Sequence, residues 1–223
     1  MVYRIYVEKK PGFDGEANGL KNELTGLLGI QSLTGLRLLN RRGCFPQFDK
    51  FIEQTKDVWT HLVDIRKSFE PRAEELAKKY ALAPYTMFIG SGALWGETIL
   101  FSMCILEEMQ WKRTRYITSA DFFHGTLELV EPGVPVFLFM GEDENRKLDE
   151  RVRAFLNRGV TGDTDINIID TAEFAIPGLD DEFRVIVSPW ILSSLITDRL
   201  AAYYETVTKH NLNYRRYYHQ FDY

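Results

Sequence analysis

Apolar residues recur along the chain in two rhythms, and the rhythm changes at glycines and prolines. Tyr3 to Glu8 alternates apolar with polar, the period of a half-buried strand, and Pro11-Gly12 stops it. Asp14 is placed to cap a helix over Glu16 to Leu28, in which Leu20, Leu24, Leu27 and Leu28 share a face and Gly29 stands as C-cap. Thr34 to Leu39 reads as a second strand, so residues 1–41 predict a small βαβ unit. Arg41-Arg42-Gly43-Cys44 breaks the pattern. Beyond it Phe48, Phe51, Ile52, Thr55, Trp59 and Leu62 recur at spacings of three and four, the stripe of an amphipathic helix. His61 lies beside that stripe and reads as a packing or surface residue. Glu70-Pro71-Arg72 predicts a restart into a second short helix that runs to Tyr80, with Pro71 in its first turn. Residues 42–84 therefore read as a helical linker.

From residue 85 the rhythm becomes that of an α/β domain. Tyr85 to Ile89 is a short apolar run ending in Gly90-Ser91-Gly92, and a helix follows from Ala93 to about Met109. Arg115 to Thr118 is a short β-like segment. Val134 to Met140 is almost unbroken in its apolar character, as expected of an interior parallel strand buried on both faces. Asp149 to Leu156 is helical, Asp165 to Ile169 is another buried strand, and Ser188-Pro189 opens a last long helix with Ile191, Leu195, Arg199 and Ala202 on one side. The alternation predicts an α/β fold, a doubly wound parallel sheet with right-handed crossovers over residues 85–223.

Composition narrows the setting. The 223 residues are 45% hydrophobic and 26% charged, enough for a sizeable core in one or two domains. A net charge of -5 and a pI near 5.5 argue against nucleic acid or an anionic membrane as partner, because a phosphate-tracking surface pushes the balance basic. Cys44 and Cys104 stand in unrelated contexts, one beside a glycine junction and the other in an apolar helix, which predicts free thiols in a reducing, cytoplasmic compartment. The opening Met-Val-Tyr-Arg-Ile-Tyr-Val-Glu-Lys-Lys carries charges where a signal peptide needs an apolar centre, and no apolar run approaches membrane-spanning length.

The candidate chemistry lies between Glu107 and Pro132. An apolar helix ends at Glu107-Glu108, a short β-like segment follows, and Phe122-Phe123-His124-Gly125 delivers an imidazole. A carboxylate and a histidine on either side of a short strand predict an acid and a base meeting in one cleft. Glu107 lies about a quarter turn from Glu108 and is expected to face solvent or an ion pair. The glycine turn after the first strand of this domain opens a helix, whose N-terminus favours an anion, so Ser91 is a candidate contact for a phosphate or a sugar hydroxyl.

Glu-Met-Gln-Trp, followed by Asp-Phe-Phe-His-Gly-Thr-Leu-Glu-Leu-Val-Glu-Pro-Gly, resembles the second sugar isomerase (SIS) half of the fructosamine 6-phosphate deglycases, relatives of the isomerase domain of glucosamine-6-phosphate synthase. The tail resembles the deglycase ending, with its Arg-Arg-Tyr and its terminal acidic-Tyr pair, so the resemblance covers about residues 45–223. It implies an SIS-type sheet, Glu108 and His124 as the proton-transfer pair, Glu128 as support for the histidine loop, and Tyr217 and Tyr223 as substrate contacts under a tail laid over the site. It also implies a sugar phosphate ligand, a homo-oligomer, and no metal or cofactor, since each step of the chemistry is a proton transfer. The usual His-Gly-Pro is His-Gly-Thr in this chain, and the phosphate-gripping loop of the first SIS half has no counterpart. A non-catalytic sugar-phosphate-binding or dimerisation module, or a chimeric or truncated product, is the expected alternative. Arg-Ile-Tyr-Val-Glu-Lys-Lys-Pro-Gly-Phe-Asp and the segment from Leu28 to Arg41 resemble the N-terminus of phosphoribosylformylglycinamidine synthase, which implies a small βαβ appendage and carries none of that enzyme's chemistry.

Overall fold

The computed structural model describes residues 33–159 and 164–222. The strand expected over Tyr3 to Glu8, the helix over Glu16 to Leu28 and the terminal Tyr223 lie outside the described residues. Residues 33–41, where a second strand was expected, are instead helical (α1). The spacing of Leu33 and Leu36 decides it: both pack against the core, while Leu38 and Leu39 point to solvent.

Helix α2 (Phe48–Thr55) leads into the 23-residue α3 (Val58–Tyr80), so the break falls inside the expected stripe from Phe48 to Leu62 and not at Pro71. Val58, Leu62, Ile65, Phe69, Ala73, Leu76, Ala77 and Tyr80 form an unbroken buried stripe along it. Pro71 is exposed, on the side away from this stripe, so the Lys67 carbonyl that it leaves unbonded can turn to water. Tertiary packing of the stripe outweighs the local break.

Four parallel strands follow: β1 (Thr86–Gly90), β2 (Thr114–Ile117), β3 (Val136–Met140) and β4 (Ile166–Asp170), in the order β2-β1-β3-β4. β1 and β3 are buried at every position, and their alternate side chains feed two separate cores. Phe88, Phe137 and Phe139 face α3 and the C-terminal helices. Met87, Ile89, Val136, Leu138 and Met140 face Phe122, Val152 and Leu156 on the opposite side. Two faces covered by helices are what a parallel sheet requires, so the fold is α/β as expected.

The crossovers carry the functional residues. After β1, a 3-10 turn at Gly92–Leu94 opens α4 (Trp95–Ile99), which continues as a π-helix over Leu100–Glu107. The Thr98 hydroxyl donates to the Leu94 carbonyl and the Ser102 hydroxyl to that of Thr98, a back-bonding that loosens the ordinary ladder at the point where the geometry changes. β2 leads to the one-turn α5 (Ser119–Phe122) and a 3-10 turn at Thr126–Leu129. α6 (Arg146–Leu156) follows β3 and starts one turn earlier than its apolar pattern indicates, because Arg146 is held by a two-pronged bond to Asp170 at 2.9 and 2.6 Å.

The final helix begins at Asp181, not at Ser188. α7 (Asp181–Ser193), a π-helical stretch over Ser194–Leu200 and α8 (Ala201–Thr208) are one continuous rod with Pro189 inside it. The Ser188 hydroxyl donates to the Val185 carbonyl at 3.2 Å, replacing the backbone N–H that Pro189 lacks. This rod is long and apolar enough to cross a membrane by length and composition, but 72% of its most apolar window is buried inside the protein, where it serves as the central core helix.

Candidate functional site

Glu108 stands where the π-helical part of α4 ends, and its N–H donates to the Met103 carbonyl five residues back, at 2.9 Å. The chain then turns through Trp111, which holds a left-handed φ of 53°, before β2 begins. Gln110 fixes this turn to the C-terminal tail: its amide donates to the His210 carbonyl at 2.6 Å, and its carbonyl accepts from the Thr208 hydroxyl at 2.7 Å. Leu212 is buried and its N–H donates to Glu205 at 3.1 Å, so the tail is anchored on both sides of the turn.

Between the end of α4 and the tail lies an open cleft of about 540 Å³. Glu107, Glu108, Trp111, Lys112 and Arg113, from the end of α4 and the turn after it, line it together with Arg216, Tyr217 and Tyr218 of the tail. Arg215 Nε donates to Glu108 Oε1 at 2.8 Å while its Nη1 donates to the Leu212 and Tyr214 carbonyls, so one guanidinium ties the carboxylate to the folded tail. The Arg216 guanidinium lies 4.3 Å from the centre of the Trp111 ring, and His210 packs edge-on against the same ring. Burial pulls the Lys112 ammonium below its ordinary range. Glu107, expected to face solvent or an ion pair, is half-buried at the open cleft. It lines the cleft with Glu108 and accepts the Thr114 hydroxyl at 2.6 Å.

A cleft with a carboxylate, several cations and aromatic walls can hold an anionic sugar and move a proton at its carbon. Arg215 and Arg216 were overlooked as site residues by sequence reasoning. Their signal was present in the Arg-Arg-Tyr of the tail, but nothing local marks which of several exposed arginines folds back on α4.

His124 is elsewhere. It follows α5, is exposed, and its N–H donates to the Asp121 carbonyl at 2.9 Å; Gly125, at φ 140°, then turns the chain into the next 3-10 segment. Glu108 precedes the amino end of β2 and His124 follows its carboxyl end, so within one chain the strand itself, roughly 10 Å at 3.3 Å per residue, keeps them apart. The structure therefore brings Glu108 and Tyr217 to one cleft and leaves His124 at the other end of β2. Glu128 is exposed and contributes a backbone N–H to the Gly125 carbonyl at 3.1 Å.

Ser91 is not on a ligand-facing surface. Its side chain is buried and its hydroxyl accepts the Ser119 N–H at 2.7 Å. The helix N-terminus beside it is met by the chain's own Asp143 carboxylate, which accepts the Ala93 N–H at 2.5 Å in the crevice where β1 and β3 send their crossovers in opposite directions. Among the described residues, no group of histidines, cysteines and carboxylates is arranged to hold a metal ion.

No protein-family model matches the chain. It is 28% identical over 185 residues to the fructosamine deglycase FrlB of Bacillus subtilis, covering 82% of this chain and 53% of that protein. It is 29% identical over 186 residues to the fructoselysine 6-phosphate deglycase of Escherichia coli, covering 82% and 51%. A solved structure from Salmonella typhimurium LT2, described as a phosphosugar isomerase, superposes with a TM-score of 0.77 at 25% identity over 84% of this chain and 57% of that one. The chain is a homologue of the fructosamine and fructoselysine 6-phosphate deglycases, with the fold of the phosphosugar isomerases. It spans about half the length of the curated relatives it matches. The resemblance of residues 1–41 to the purine synthase is carried by none of these relatives.

Proposed function

We propose that this deglycase homologue is a cytoplasmic enzyme that cleaves fructosamine 6-phosphates to glucose 6-phosphate and an amine, in a homo-oligomer whose active site takes Glu108 from one subunit and His124 from another. His124 opens the sugar ring. Glu108 takes a proton from C1 of the ketoamine and returns it to C2 while the amine N–H proton passes to the C2 oxygen, which moves the double bond from C2–O to C1–N; water then adds to that imine and releases the amine. The observation that carries the reading is the position of Glu108, on an open cleft lined also by Lys112, Arg216 and Tyr217, with cations for the phosphate and a phenol in the same cleft. The placement of the two groups at opposite ends of β2 is what supports a second copy supplying His124.

The test uses fructoselysine 6-phosphate with glucose 6-phosphate as the measured product. Glu108→Gln and His124→Ala are each expected to abolish turnover, and mixing the two inactive variants is expected to restore about a quarter of it, since half of random dimers carry one intact composite site. Absence of turnover in the wild-type protein overturns the enzymatic reading. The Arg215–Glu108 ion pair favours a second one, a sugar-phosphate-binding module whose carboxylate is held by the tail, and saturable binding of the substrate without turnover would identify it.

A further inference from the structure

The carboxyl edge of the sheet holds a buried polar tie that the proposed reaction does not use. Ser91, in the turn after β1, accepts the Ser119 N–H at 2.7 Å. The Ser119 hydroxyl donates to Asp149 Oδ1 at 2.5 Å, and Asp149 Oδ2 accepts the Gly141 N–H at 3.3 Å. Ser119 and Asp149 are each 1% exposed. Residues after three adjacent strands and the first turn of α6 are thus drawn to one point.

What the tie secures is α5. A single turn of helix cannot hold itself, because nucleation costs more than one turn of bonds returns. α5 has the Thr118 side chain as its cap, Phe122 buried against Phe155, and the Ser91–Ser119–Asp149 chain at its first residue. Two residues after α5 comes His124. A buried carboxylate is a costly way to fill space; satisfied by two donors, it fixes one arrangement of the segments it joins. We infer that Ser91, Ser119 and Asp149 are positioning residues for His124, setting where the imidazole is presented. This rests on the reading of His124 as the proton-transferring group.

The test compares Ser91→Ala, Asp149→Asn and Ser91→Thr with wild type and with His124→Ala, by steady-state kinetics on fructoselysine 6-phosphate and by amide hydrogen exchange over residues 119–126. In Ser91→Ala and Asp149→Asn, kcat is expected to fall at least tenfold with KM within twofold, and exchange over 119–126 to rise at least tenfold while β1 and β3 stay protected. Ser91→Thr, which keeps the hydroxyl, restores both. Unchanged exchange over 119–126 in both variants overturns the inference whether or not turnover is measurable. So does wild-type kcat in both variants when His124→Ala is inactive. An active His124→Ala instead refutes the reading on which the inference rests, and the exchange result still decides whether the tie holds the segment.

Discussion

Glu97 offers a quantitative test of how this core treats a buried charge. It lies on α4 with 5% of its surface exposed, and its Oε2 has no hydrogen-bond partner among the described residues. Burial pushes its carboxyl from the ordinary 4.5 up to about 7; a hydrogen bond with Ser193 opposes that rise and the nearby Asp198 adds to it. Below pH 4.5 the carboxyl is protonated in folded and unfolded chains alike and costs nothing. Between 4.5 and 7 the folded protein retains a proton that the unfolded chain has released, so stability falls as pH rises, and the loss is complete above 7. At about 1.4 kcal/mol for each pH unit, the total is roughly 3 kcal/mol. Glu97→Gln stays neutral throughout and keeps an acceptor for Ser193. The variant is therefore expected to exceed wild type by roughly 3 kcal/mol at pH 8 and to match it at pH 4.5. Urea unfolding followed by tryptophan fluorescence at both pH values measures the difference. Asp149, pushed up to about 6 by burial, acts in the same direction in both proteins and cancels from it. A gap that does not change with pH, or a variant less stable at pH 8, would show that the carboxylate finds a partner when ionised and would refute the reasoning.

Gly92→Ala should cost about 2 kcal/mol or more, because Gly92 has φ 55° and an added Cβ meets the Asp143 carboxylate; a shift in the urea midpoint reads it, and Asp143→Ala in the same chain should recover part of the loss. Arg184→Met removes the guanidinium that serves Glu142 and the Thr171 and Phe174 carbonyls in a largely buried place, and is expected to cost about 3 kcal/mol in thermal or urea unfolding. Lys56→Met, at the exposed pair with Glu53, should leave stability unchanged in the same assay. Ser188→Ala takes away the hydroxyl that satisfies the Val185 carbonyl beside Pro189, and should lower stability by about 1 kcal/mol without altering helix content by circular dichroism.

The sequence alone determined the fold class, and did so through side-chain periodicity. β1 and β3 are short apolar runs between helical stripes, and a strand buried on both faces can be little else, whereas β4, expected to be buried, is an edge strand half-buried at Ile166, Asn167 and Ile168. It determined too that a carboxylate precedes β2 and a histidine follows it. Local rules failed where packing outweighed them. Pro71 and Pro189 were read as helix starts, yet each lies inside a helix, the first because its freed carbonyl can face water and the second because Ser188 stands in for the missing donor. Thr34 to Leu39 alternates like a strand but packs as a helix on Leu33 and Leu36. The site depended on tertiary structure more than the fold did. Nothing along the chain says that Arg215 returns to Glu108 across 107 positions, that a π-helical stretch turns both Glu107 and Glu108 into one cleft, or that Ser91 is spent inside the protein on Ser119. Those facts come from distances between segments remote in sequence, which periodicity does not encode. The length of β2, with Glu108 before its amino end and His124 after its carboxyl end, is what sets the two apart in a single chain.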